Sequence, residues 1–139
     1  MINKTILLTI KFFSKNKYIF FILNFFLIFL YLFPGSLLGL FIYNDLSLQP
    51  QITPDFIIST NHLYAFLITS TVGFLTYNKS NQFIYISFYL IILALILEVL
   101  HYFIPDRTFQ FSDLFGNLLG VLIMLILFYF LKKNENSKT

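Results

Sequence analysis

Residues 83–104 read FIYISFYLIILALILEVLHYFI, an apolar run with no charged residue before Glu98. About 20 apolar residues are enough for a helix to cross the ~30 Å hydrocarbon core of a membrane. Three further apolar runs lie at residues 18–33, 56–77 and 111–131. The runs are continuous rather than alternating, which excludes a transmembrane barrel. The sequence therefore predicts an all-α protein built as a four-helix transmembrane bundle.

The overall composition favours the same class. The chain is 58% hydrophobic and 11% charged, whereas soluble domains are about 25% charged. It has no cysteine, which excludes disulfides and thiolate metal sites. The net charge of +3 comes from lysines near the two ends and not from a basic face, so no nucleic-acid partner is expected. No cofactor is predicted.

Prolines and polar clusters divide the chain into segments. Residues 1–17 carry four lysines among apolar residues and predict either a basic amphipathic segment at a membrane surface or a basic tail. Pro34-Gly35 ends or bends the first run, and residues 37–43 either continue it past a kink or form a surface segment. Residues 44–54 and 78–82 are polar connections. The predicted organisation is the basic segment at 1–17, a membrane domain at 18–131 and a polar cytoplasmic tail at 132–139.

The lysines also predict an orientation. They precede the first run, follow the last, and include Lys79 between the second and third. The two remaining connections carry Arg107 as their one cation. Because cytoplasmic loops are enriched in Lys and Arg, both termini and the Lys79 turn are expected in the cytoplasm. Residues 44–54 and 105–110 then face outward.

Polar residues gather at the outward end of the third and fourth runs. Glu98 and His101 lie three residues apart and share a helix face, as do Asp113 and Asn117. Ionisable groups in or near hydrocarbon are costly, usually pair with one another, and mark function. Because the connection between these runs is short, the two helices are expected to be antiparallel neighbours that bring the four side chains together.

Two further features belong to this region. Gly116 and Gly120 form a small-xxx-small pair, which predicts a second helix packed closely on that face. His62 begins the second run on the same outward side, as an interfacial histidine or as a ligand.

Arg107 and Asp113 have structural as well as functional interpretations. Arg107 could fork onto Glu98 or Asp113, or onto a phosphate or carboxylate from outside. A simple ion pair of Arg107 with Asp106 or Asp113 would also explain its position. Asp113 could cap the fourth helix, and Asn117 could only bond a neighbouring helix.

Three chemistries fit these residue types. A divalent ion could be held by Glu98, His101 and Asp113 with His62, but one Glu-x-x-His motif is too little for a di-iron bundle site, and no metal ligand is assigned. General acid–base work could use Glu98, His101 and Asp113, the candidate catalytic residues. Recognition of an anionic group could use Arg107, with the other groups orienting the ligand. The predicted ligand-binding residues are His62, Glu98, His101, Arg107, Asp113 and Asn117.

These motifs resemble the VanZ-like family of small bacterial membrane proteins, named for a protein that raises teicoplanin resistance. The residues that carry the resemblance are His62 with Phe66, Glu98-Val-Leu-His101, Pro105-Asp-Arg107, and Asp113-Leu-Phe-Gly-Asn117-Leu-Leu-Gly120. Two positions depart from the family pattern. His101 stands for the usual Gln, and Ile58-Ser59 stands for an Asp-Lys pair. If that pair contributes to the family's activity, this chain has it altered or lost.

The resemblance implies a multi-pass protein of the bacterial inner membrane with a role in the cell envelope or in the response to glycopeptide antibiotics. The expected partner is a membrane lipid or a lipid-linked cell-wall precursor, bound at the outer-leaflet polar cluster. Two alternatives stay open. One is a membrane enzyme, metal-assisted or not, that acts on a lipid-linked substrate. The other is a structural accessory subunit. The sequence indicates no oligomeric state.

Overall fold

Helices make up all the regular structure that the computed structural model contains in the residues it describes, 4–136. The prediction of an all-α protein is therefore confirmed for this part of the chain. The elements are α1 (Lys4–Lys15), α2 (Tyr18–Leu32), α3 (Leu37–Tyr43), α4 (Thr60–Thr76), α5 (Ser80–Leu100), a 3-10 turn (His101–Phe103) and α6 (Phe111–Asn136).

The break between α2 and α3 follows the chemistry of the sequence. Gly35 has a φ of +73°, a conformation that glycine adopts at little cost. The Ser36 hydroxyl then accepts a hydrogen bond from the Gly39 backbone N–H at 3.0 Å and caps α3. Residues 37–43 form a separate short helix, and the two predictions for them, a span continued past a kink or a surface segment, stay predictions.

The start of α4 differs from the prediction. The second apolar run was expected to become helical near residue 56, but α4 begins at Thr60. Asp55 explains the delay, because its Oδ1 accepts hydrogen bonds from the Thr60 backbone N–H at 2.7 Å and hydroxyl at 3.0 Å. Although partial burial opposes it, these bonds lower the pKa of Asp55. Phe56 and Ile57 lie in the preceding loop, exposed.

The last helix is longer than predicted. A polar tail was expected from residue 132, yet α6 continues to Asn136. Lys133 lies in its last turn, where a cation interacts favourably with the helix dipole. Residues 1–3 and 137–139 of the predicted terminal segments lie outside the described residues.

The centre of the fold is α4, which packs against α6, α1, α2 and α5. Its buried residues include Phe66, Phe74 and the polar Thr69 and Ser70, so the inward-facing helix that the sequence predicts is confirmed. The most extensive helix pair is α4 with α6. The glycine pair of α6 makes this contact, because a Cβ on Gly120 would lie 2.6 Å from the Leu63 carbonyl oxygen. The glycine face therefore meets α4, while α5 is the second neighbour of α6.

Lysines collect at one end of the helices. The Lys17 Nζ lies 5.5 Å from the centre of the Tyr77 ring, and the Lys132 Nζ lies 4.3 Å from that of Phe83. These contacts bring together the start of α2, the end of α4, the start of α5 and the C-terminal part of α6. We call this the lysine end. The opposite end, with Arg107 and the loop of residues 44–59, is called the arginine end.

Two helical stretches in the described chain are long and apolar enough to cross a membrane, at residues 81–103 and 111–134. Their mean hydropathies are 2.6 and 2.5. A third results if α1 and α2, bent by 74° at their junction, count as one span. In each of the two long stretches only 33% of the most apolar window is buried, so most of its apolar surface faces outward.

Candidate functional site

Side chains from α4, α5, the 3-10 turn and α6 meet in the interior near the arginine end. Glu98 and Asn117 are 0% exposed, His101 is 2% exposed and His62 is 6% exposed, while Asp113 is half-buried. The structure thus brings together five of the six predicted ligand-binding residues. We call them the polar cluster: His62, Glu98, His101, Asp113 and Asn117.

Glu98 and His101 form the first pair in the polar cluster. Glu98 Oε1 accepts a hydrogen bond from the Gln110 backbone N–H at 3.0 Å and lies 3.3 Å from His101 Nδ1. His101 Nε2 lies 3.2 Å from the Tyr31 carbonyl oxygen. Both imidazole nitrogens therefore face acceptors. The contact between Glu98 and His101 is an ion pair when His101 is protonated.

His62 is the centre of the second part of the cluster. Its Nδ1 lies 3.2 Å from both the Tyr31 hydroxyl and Asn117 Oδ1, and its Nε2 lies 3.5 Å from Asp113 Oδ2. The Tyr31 hydroxyl donates to Asn117 Oδ1 at 2.6 Å. Because that amide oxygen can only accept, Nδ1 of His62 carries the hydrogen. Its Nε2 is then directed at the Asp113 carboxylate.

Arg107 makes different contacts from those expected. Its Nε donates to the Phe33 carbonyl at 3.2 Å, and its Nη2 donates to the Leu30 carbonyl at 3.1 Å. It therefore caps the C-terminal end of α2, where carbonyls lack partners within the helix and a cation is favourable. The predicted fork onto Glu98 or Asp113 is wrong, and no carboxylate in the described chain pairs with Arg107 within 4.0 Å.

A cavity of about 480 Å³ lies beside the polar cluster. Tyr31, His62, His101 and Arg107 form part of its wall, and apolar residues such as Leu37 and Ile68 form much of the remainder. Among its lining residues Arg107 is the one Lys or Arg, and there is no Asp or Glu. Burial lowers the pKa of the Arg107 guanidinium, which stays charged at any physiological pH. Glu98, Asp113 and Asn117 are not lining residues; they contact His62.

Tyr31 and Gln110 are parts of the site that the sequence does not identify. Tyr31 contributes its hydroxyl to His62 and Asn117 and its carbonyl to His101. The signal for it is weak, since it is a hydroxyl-bearing ring within a run of Phe, Ile and Leu. Gln110 acts through its backbone N–H, which has no sequence signal.

The fold and the site together define a class: an all-α chain with two or three apolar helices able to cross a membrane and an ionisable cluster buried between them. No protein-family model, no curated protein and no solved structure matches this chain. The resemblance to the VanZ-like family stays a prediction based on the residues between Glu98 and Gly120 together with His62.

Proposed function

We propose that this chain is a four-span protein of the bacterial inner membrane, with its lysine end in the cytoplasm. In this arrangement α1 lies at the cytoplasmic surface, and α2, α4, α5 and α6 cross the bilayer. The positive-inside rule supports the orientation, because Lys17, Lys79 and Lys132 all belong to the lysine end. The cavity and the polar cluster then lie toward the outer leaflet.

We further propose that the cavity binds an amphipathic ligand with an anionic group, either a membrane lipid or a lipid-linked cell-wall precursor. One observation carries this proposal: the largely apolar wall of the cavity contains one Lys or Arg, which is Arg107, and no Asp or Glu. Ligand cavities are typically about 300–1,000 Å³, mostly apolar, with a few placed polar groups. An anionic headgroup would contact Arg107, His62 and His101, while its acyl or prenyl chain would pack against the apolar wall. Such binding fits the envelope role that the VanZ-like resemblance implies.

The charge of Arg107 should decide which lipids bind. Replacing Arg107 by Gln is expected to reduce the preference for phosphatidylglycerol over phosphatidylcholine by about 10- to 100-fold, because a charge-assisted hydrogen bond contributes about 1.5–3 kcal/mol. Native mass spectrometry of the protein with the two lipids, matched in acyl chains, measures this preference. A polyprenyl phosphate in the same assay separates a cell-wall carrier from a bulk lipid.

Arg107→Lys is the matched control for this change. Both substitutions remove the pair of hydrogen bonds that Arg107 donates to carbonyls at the end of α2, but the lysine variant keeps the positive charge. The lysine variant should therefore keep the preference for anionic lipid, even with a lower thermal midpoint. An undiminished preference in Arg107→Gln would overturn the role of the charge.

Filling the cavity should prevent binding without altering the polar cluster. Ile68 lines the cavity and is 54% exposed, so Ile68→Trp is expected to place an indole in the space that the ligand needs. Ile96 on α5 is a matched control, because it is 50% exposed and does not line the cavity. Ile68→Trp should lose the retained lipid and Ile96→Trp should keep it. Equal retention by both variants would contradict binding in this cavity.

A membrane enzyme acting on the same ligand class is the second candidate function. His62 and His101 both line the cavity, and each lies near a carboxylate: Asp113 at 3.5 Å and Glu98 at 3.3 Å. Imidazoles positioned in this way can act as general acids and bases. An enzymatic function requires that the purified protein convert a lipid-linked substrate. If a polyprenyl phosphate is bound but recovered unchanged, the result supports a binding function. If no lipid is bound, the result supports a structural accessory subunit.

A further inference from the structure

We propose that His62, Glu98 and Asp113 form a binding site for a divalent transition-metal ion of the zinc or manganese type. This inference goes beyond the proposed lipid-binding function and does not depend on it, because Glu98 and Asp113 do not line the cavity. The sequence alone assigned no metal ligand. The geometry of three side chains from α4, α5 and α6 changes that assignment.

The distances are those of a site that closes onto an ion with small movements. One nitrogen of His62 and one oxygen each of Glu98 and Asp113 lie within 4.8 Å of one another. The closest pair is His62 Nε2, the nitrogen without a hydrogen, with Asp113 Oδ2 at 3.5 Å. Ligand atoms bound to one zinc ion at about 2.0–2.2 Å are separated from each other by similar distances.

An independent observation points to a ligand at this place. Glu98 is 0% exposed, and its Oε2 has no hydrogen-bond partner among the described residues. Leaving a buried charged acceptor without a partner costs more than leaving a neutral one. Its nearest ionisable neighbour across the cluster is His62. The unpartnered oxygen is therefore directed into the group of metal-ligating atoms.

The remaining contacts hold the carboxylate in place. Glu98 Oε1 is occupied by the Gln110 backbone N–H and faces His101 Nδ1, while His101 Nε2 lies against the Tyr31 carbonyl. Metal-binding carboxylates are generally oriented by such outer hydrogen bonds. His101 is thus a positioning residue in this site, and Glu98 Oε2 is the oxygen that remains for the ion.

Charge and donor type define the ion. Two ionised carboxylates and a neutral His62 carry a formal charge of −2, of which His101 compensates one when it is protonated. The negative charge that remains is buried and costly unless a cation compensates it, as a divalent ion would. An imidazole with carboxylates suits Zn²⁺ or Mn²⁺ better than the all-oxygen sites of Mg²⁺ and Ca²⁺. Three protein ligands leave at least one coordination position for water or another ligand.

The test is ion binding by the full chain, purified in detergent without a polyhistidine tag. The protein is stripped with EDTA, incubated with Zn²⁺ or Mn²⁺ alone, separated from unbound ion, and analysed by elemental mass spectrometry. We expect about one ion per chain and a rise in the thermal midpoint on adding the ion. The variants Glu98→Gln, Asp113→Asn and His62→Gln should each lose the ion and the thermal shift.

Two controls keep the result interpretable. Asp106→Asn makes the same chemical change at an exposed position with a φ of +60°, which Asn also adopts readily, and it should bind like the original chain. His101→Gln should bind about 10- to 100-fold more weakly, as expected for an outer-shell partner.

Variants that elute as folded protein decide the outcome. Folded Asp113→Asn or Glu98→Gln with undiminished ion content would overturn the site, and so would an original chain that stays metal-free while folded. Where a variant fails to fold, ion competition on the original chain provides the test. If Ca²⁺ displaces bound Zn²⁺ as effectively as Mn²⁺ does, the proposal is also rejected. If the protein binds the ion but no lipid, the proposed lipid-binding function is rejected and the metal site is still supported.

Discussion

Gly120→Ala is expected to lower the free energy of unfolding by about 3 kcal/mol, near the upper end for overpacked positions. A Cβ at residue 120 would lie 2.6 Å from the Leu63 carbonyl oxygen and 2.9 Å from the Leu67 backbone nitrogen. Both are backbone atoms of α4, so no side-chain rotation relieves the contact. The axes of α4 and α6 must separate, and dispersion contacts along the whole helix pair weaken. Thermal unfolding followed by circular dichroism in detergent measures the effect.

Gly73→Ala is the matched control within the same helix bundle. Its Cβ would meet side-chain atoms of Phe20, Ile86 and Leu90 at 3.1–3.4 Å, and these atoms can move by a few tenths of an ångström. Because alanine also favours helix over glycine by up to about 1 kcal/mol, the net effect there should be small. A similar loss in both variants would show that backbone contact between α4 and α6 is not what these glycines provide.

The glycine contact links the fold to the polar cluster. A Cβ on Gly116 would lie 2.5 Å from the Ser59 carbonyl oxygen and 3.2 Å from the Cβ of His62. Asp113 and Asn117 lie on the same helix as this glycine. Separation of α4 from α6 would therefore move His62 away from both. The close approach that stabilises the bundle is also what sets the distances inside the site.

Sequence reasoning predicted the elements that depend on local chemistry. The apolar runs and the proline at 34 located the boundaries of α2 and the start of α6, whereas the run at 83–104 became α5 at Ser80–Leu100 followed by the 3-10 turn. The start of α4 was wrong, because hydropathy counts Phe56 and Ile57 as helical whereas the Asp55 cap fixes the first turn at Thr60. Four membrane crossings and the cytoplasmic position of the termini stay predictions.

The site was predictable in its membership and not in its contacts. Ionisable residues are rare in or beside apolar runs, so the positions of Glu98, His101 and Asp113 in the sequence were enough to predict that they belong to a site. Which helix receives the glycine face depends on tertiary packing, so the sequence predicted a closely packed helix there without identifying it as α4. The partners of Arg107 are backbone carbonyls at the end of α2. Because every residue has a backbone carbonyl, the sequence pattern could not predict these partners.

The second large effect is expected at Glu98. Glu98→Ala should lower the free energy of unfolding by about 3–5 kcal/mol, the usual result of removing one partner from a buried ion pair. The substitution leaves the His101 imidazole without a carboxylate and the Gln110 N–H without an acceptor. The thermal midpoint in detergent, in the presence of EDTA, measures this contribution apart from any bound ion.

Glu98→Gln separates charge from hydrogen bonding in the same pair. The amide oxygen can still accept from Gln110, but it can no longer compensate a protonated His101, so a loss of about 1–3 kcal/mol is expected. Combining it with His101→Gln removes both charges together. The double variant should then be more stable than the sum of the two single losses predicts, by a coupling of about 0.5–3 kcal/mol. Additive losses would mean that Glu98 and His101 stabilise the bundle separately and that the buried pair is not ionic.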